Sequence, residues 1–185
     1  DVLNVGEGLV KHIFKDCMGI DVPTPLPRYT YRECMERFGS DKPDLRFGME
    51  LINMVDAVKG SDFKVFNQVI ENGGVVKAIN VKGYANIPRR ECDALVDFVG
   101  IYGAKGLAWI QIQEDGSVKS PIAKFFSEAH MANILATAQA EAGDLIMFIA
   151  DKPAVVAQAL GALRIEMAKR RNLIDPDALA FAWVV

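Results

Sequence analysis

Cysteine is scarce in this chain. Cys17, Cys34 and Cys92 are scattered over 185 positions, an odd number set too far apart for a disulfide framework, and such usage suits a reducing compartment. Histidine is scarcer still. His12 and His130 are the only two, no C-x-x-C occurs, and neither histidine has a cysteine or carboxylate at convincing metal-ligand spacing. An excess of positive charge is also missing: 21 Lys and Arg against 24 Asp and Glu leave a net charge of −3, which excludes a globally basic nucleic-acid module but leaves room for a local basic patch. No uncharged apolar run approaches the roughly 18 residues that a membrane span needs, so no membrane partner is expected. No leader of basic, apolar and small residues is visible either, and the expectation is a soluble protein of the cytoplasm.

What the chain does have is a hydrophobic content of 51% beside 24% charged residues, which excludes an intrinsically disordered polymer. Residues 5–18 carry Val5, Leu9, Val10, Ile13, Phe14 and Cys17 at helical spacing, with Gly19 as a stop. Three prolines between Val22 and Pro27 forbid a helix there. Thr30 and Glu33 form a T-x-x-E capping box that opens a short helix to about Phe38, closed by Gly39, and residues 47–61 read as a connection. Two β-rich runs, one from Phe63 to Ile70 and one from Val75 to Val81, flank Asn72-Gly73-Gly74 and predict a hairpin. Pro88 opens a helix marked by Ala94, Leu95, Phe98 and Ile101, and residues 107–113 alternate as a strand. A helix over 124–140, a buried strand over 145–150, a long helix from Pro153 to Arg171 and a terminal strand over 179–185 complete the reading. The order from 62 to 171 is β-β-α-β-(α)-β-α. It predicts the α+β class, an antiparallel sheet with helices mainly on one face.

Few of these residues advertise chemistry. Gly6-Glu7-Gly8 has neither the preceding strand nor the third glycine of a phosphate loop and sits within a helical period. The histidines suit partly exposed helix positions, and the cysteines suit core packing. Arg89-Arg90 and Lys169-Arg170-Arg171 suit helix ends, where the last carbonyls welcome cations. The densest polar cluster is Ser40-Asp41-Lys42-Pro43-Asp44-Leu45-Arg46. Lys42 and Arg46 are candidates for phosphate contacts, and Asp41 and Asp44 for orienting them or holding a metal. The same residues equally suit a solvated loop whose carboxylates and cations pair with each other and with turn amides.

The run Pro27-Arg-Tyr-Thr-Tyr-Arg-Glu-Cys-Met-Glu-Arg-Phe-Gly-Ser-Asp-Lys-Pro-Asp-Leu-Arg-Phe-Gly-Met-Glu-Leu51 closely resembles bacterial-type aspartyl-tRNA synthetases. The tail from Leu160-Gly-Ala-Leu-Arg164 through Asn172-Leu-Ile-Asp-Pro-Asp177 to Trp183-Val-Val185 resembles the place where such chains return to the catalytic sheet. Between them, residues 62–150 resemble the inserted GAD domain, with its β-β-α-β-β-α (DCoH-like) layout, which is shared with the B subunit of glutamyl/aspartyl-tRNA amidotransferases. The resemblance implies three parts: 1–61 as a flanking segment of a class II catalytic domain, 62–171 as the insertion with its return helix, and 172–185 as the return to the catalytic sheet. It implies a parent that uses ATP and Mg²⁺ to join aspartate to tRNA and that works as a homodimer. The family's ATP-binding arginine motifs and aspartate-recognition residues do not occur here. No catalytic, ATP-binding or metal residue is therefore carried over, no cofactor is expected for the chain alone, and tRNA binding is expected to be weak or absent. The chain starts at Asp1 and stops within an apolar run at Val185, which is read as a piece of something larger. Alternatives are the GAD domain of an amidotransferase B subunit and a free-standing α+β binding module.

Overall fold

The computed structural model of the chain describes residues 1–185. Helix α1 (Val2–Met18) starts at an Asp1 cap and ends at Gly19, whose φ of 70° a glycine adopts without strain. Glu7 is buried on its inner side and accepts the indole N–H of Trp183 at 3.0 Å. Gly6-Glu7-Gly8 is thus a packed stretch of helix. After the prolines, strand β1 (Arg28–Tyr29) pairs in parallel with β7 (Trp183–Val184), so a two-stranded sheet ties the two ends of the chain together. Only those two residues of the expected 179–185 strand are paired. Helix α2 (Tyr31–Phe38) begins with both halves of the capping box in place: Glu33 N–H donates to Thr30 Oγ1, and Thr30 N–H to Glu33 Oε2.

Strand β2 (Ile52–Asn53), β3 (Val75–Val81), β4 (Ala108–Ile112), β5 (Val118–Lys119) and β6 (Leu145–Asp151) form one antiparallel sheet in the order β2-β3-β6-β4-β5. β2 lies in the stretch read as a connection. With strands 4.7–4.9 Å apart in general, the register puts Ile79, Met147 and Trp109 in one row across three strands, and Ala78, Phe148 and Ala108 in the next. The first row faces α5 (Arg89–Gly100) and α7 (Pro153–Arg170), in a core with Leu95, Val99, Leu160 and Leu163. The second faces α3 (Val55–Val58), α4 (Lys64–Glu71) and α6 (Glu128–Thr137), in a core with Val58, Phe66 and Ile134.

The α+β class and the antiparallel sheet are as expected. The helices, however, cover both faces rather than mainly one. β6 carries a near-continuous apolar run because neither face is wet, and the two polar residues of β3, Lys77 and Asn80, are buried with partners in Glu36 and Asp144. The expected hairpin around Asn72-Gly73-Gly74 is also corrected. Residues 64–71 are helix α4, in which Phe66 and Ile70 share a face four residues apart with Phe63 one turn earlier, and Gly73 and Gly74 N–H close onto the Ile70 and Val69 carbonyls. The layout from 62 onward is accordingly α4-β3-α5-β4-β5-α6-β6-α7. The helix expected over 124–140 is a 3₁₀ turn at Ala123–Phe125 followed by α6, restarted by the Ser127 side chain. Cys34 and Cys92 are buried as expected, but Cys17 is exposed, on the outer side of α1. His12 lies exposed on α1 beside Asp16, and His130 is half-buried on α6. No helix is long and apolar enough to cross a membrane.

Candidate functional site

The loop 40–46 is set against the middle of α7 by two glycines. Gly39 ends α2 at φ 68°, and a Cβ on Gly161 would stand 2.8 Å from the Gly39 carbonyl oxygen and 3.0 Å from that of Phe38. Helix end and helix flank therefore touch backbone to backbone, and the chain leaves α2 directly over α7. Within the loop, Ser40 Oγ accepts Lys42 N–H at 3.0 Å, a side-chain turn typical of serine. Asp44 Oδ1 accepts both the N–H and the Nε–H of Arg46 at 3.0 Å, and its Oδ2 accepts from Nη2 at 2.8 Å. This two-pronged clasp holds the Asp44 carboxyl below its usual range and raises Arg46. Arg46 and Asp44 are thus partners for one another, as in the solvated-loop reading. Lys42 is exposed and in no ion pair, and Asp41 is exposed beside it.

The residue that organises the site is Arg164, on α7 and only 1% exposed. Its Nε donates to the Met49 carbonyl at 2.8 Å, and its Nη2 to the carbonyls of Asp44, Phe47 and Gly48 at 2.9, 3.2 and 3.2 Å. The guanidinium lies 4.1 Å from the Phe47 ring centroid and 5.1 Å from that of Phe38. Burial pulls it down to about 10, with Asp44 and Glu50 opposing. Glu50 is itself clasped by Arg37 at 2.8 and 2.6 Å, which lowers the carboxyl. Phe38, Gly39, Ser40, Lys42, Asp44, Gln158 and Arg164 are among the residues around a cavity of about 260 Å³ between loop and helix.

Of the four loop candidates, the structure brings Lys42 and Asp44 to this cavity, pairs Arg46 with Asp44, and leaves Asp41 outside its lining. Sequence reading overlooked Arg164 and Gln158. The one available signal was an arginine in the buried stripe of a long helix, flanked by Leu160, Leu163 and Met167. No group of three or more His, Cys, Asp or Glu side chains is placed to hold a metal ion.

A second cavity, of about 310 Å³, lies between α4 and the paired strands β4 and β6 and is lined mostly by apolar side chains such as Phe63, Phe66 and Leu107.

Residues 66–160 match the GAD domain family. Over 184 residues the chain is 56% identical to the aspartate–tRNA ligase of Ruminiclostridium cellulolyticum, covering all of this chain and 31% of that protein. It is 55% identical over 185 residues to the aspartate–tRNA(Asp/Asn) ligase of Heliobacterium modesticaldum, and 54% to the aspartate–tRNA ligase of Staphylococcus haemolyticus, covering 30% and 31% of those proteins. The chain spans a little under one third of the length of the curated relatives it matches.

Proposed function

Since the chain belongs to the GAD domain family, we propose that it is the GAD-bearing portion of an aspartate–tRNA ligase and does not catalyse aspartylation alone. One observation carries the reading. The alignment to ligases covers the whole chain, including residues 1–65 and 161–185 that the family match at 66–160 does not reach, and those outer segments are the part that the GAD domain by itself would not supply. A GAD domain from an amidotransferase B subunit is the less favoured alternative for that reason.

On this reading 62–171 is the insertion with its return helix, and 1–61 and 172–185 are strips of a class II catalytic domain. The parallel pairing of Arg28↔Trp183 and Tyr29↔Val184 supports joining those strips. The whole enzyme would be a homodimer in the cytoplasm that binds ATP, Mg²⁺, aspartate and tRNA, with the groups that hold them outside this chain. Catalysis of adenylate formation rests on positioning and on stabilising charge at a phosphoryl centre, and the residues of this chain then supply scaffold.

The test is ATP–pyrophosphate exchange dependent on aspartate. The full-length protein exchanges and the 185-residue chain does not; exchange by the chain alone would overturn the assignment of the reactive groups elsewhere. A gel-shift titration of the chain with tRNA gives at most weak binding that fades with salt, as expected for a net charge of −3.

A further inference from the structure

A cation taken out of water is ordinarily matched by an anion. Arg164 is 1% exposed and has no carboxylate partner, because every hydrogen bond it makes goes to a backbone carbonyl. The two carboxylates whose charge it senses are each held by another arginine, Asp44 by Arg46 and Glu50 by Arg37. An arginine has five N–H donors. Here Nε and Nη2 are used, while Nη1 donates to nothing in the chain, and Arg164 is one of the residues that line the cavity. Lys42, exposed and in no ion pair, lines the same cavity from the loop, together with Ser40 and Gln158.

We propose that this cavity is a binding site for a phosphate group, held by Arg164 Nη1 and the Lys42 ammonium. Its volume of about 260 Å³ accommodates phosphate or pyrophosphate. The arginine is fixed beforehand by four carbonyls and two rings, so little freedom is lost when the anion enters. Lys42 supplies a mobile second charge from the loop. The carboxylate in the wall, Asp44, is already neutralised by its clasp with Arg46. The site stands independently of the ligase reading, and its failure leaves that reading untouched.

The experiment is a titration of the ¹⁵N-labelled chain with inorganic phosphate and with pyrophosphate at constant ionic strength. Saturable shifts are expected at the amides of Gly39, Ser40, Lys42 and Gly161, weakened about tenfold by Lys42→Ala, one lost charge-assisted contact. Lys105→Ala, at the mouth of the other cavity, leaves them unchanged. AMP that competes with inorganic phosphate assigns the site to phosphate esters, and AMP that does not assigns it to the free anion. Absence of saturable shifts, shifts that persist unchanged in Lys42→Ala, or an equal response to acetate would overturn the proposal.

Discussion

Arg164 holds the stretch from Asp44 to Met49 to α7 across 115 to 120 residues of chain. Arg164→Met keeps the apolar stem but strands the carbonyls of Asp44, Phe47, Gly48 and Met49, and a loss of about 3 kcal/mol in urea unfolding is expected, from the usual cost of burying acceptors without donors. Arg164→Lys recovers less than half of it, since one ammonium does not reproduce the fork. Asp44 and Glu50 make a prediction in pH. Both carboxyls lie below their ordinary values of 3.8 and 4.5 in the fold, through Arg46 and Arg37 respectively. The unfolded chain therefore takes up their protons first, so their contribution is present above those ordinary values and fades as pH falls through the lower folded ones. Urea midpoints measured from pH 6 to pH 3 should drop steeply below about pH 4, and Asp44→Asn should start lower but fall less. The Asp44–Arg46 pairing was legible in the loop's own composition. The Arg164 clamp was not, because no local pattern names a partner more than a hundred residues away.

Elements in this chain declare themselves where capping chemistry is local. α2 was readable to the residue because Thr30, Glu33 and Gly39 are each a boundary signal. α4 was misread because Phe63, Val65, Phe66, Val69 and Ile70 favour strands intrinsically, and tertiary packing of Phe66 overrode that preference. The glycines separate two kinds of helical position. Gly161 is buried at a crossing, where a Cβ would meet two carbonyl oxygens within 3.0 Å, while Gly8 on α1 faces open space with nothing within 4 Å. Gly161→Ala should therefore lose about 2 kcal/mol through displacement of α2 from α7, despite better helix propensity. Gly8→Ala should gain about 0.5–1 kcal/mol from propensity alone. The opposite signs in thermal or urea melts check the backbone-to-backbone contact, and equal gains at both sites would contradict it.

At the scale of the whole molecule the sheet is the shared wall of two cores, and this arrangement was the part least visible beforehand. The run Leu145-Ile-Met-Phe-Ile-Ala150 announced a buried strand, but an apolar run does not say whether one helical layer or two will cover it. β6 answers by alternation: Leu145, Met147 and Ile149 enter the core under α5 and α7, while Ile146 and Phe148 enter the core under α3, α4 and α6. Met147 is 0% exposed and Phe148 1%, neighbours in sequence that point to opposite layers. Because both layers rest on the same hydrogen-bonded ladder, with Met147 paired to Ile79 and Trp109, loosening one layer removes the floor of the other. Met147→Ala and Phe148→Ala should each cost about 3–5 kcal/mol, and in each variant the sheet signal and the Trp109 fluorescence, isolated in a Trp183→Phe background, should fall in one coincident transition. Two separated transitions in either variant would show that the layers fold as independent units, each with its own side of the sheet.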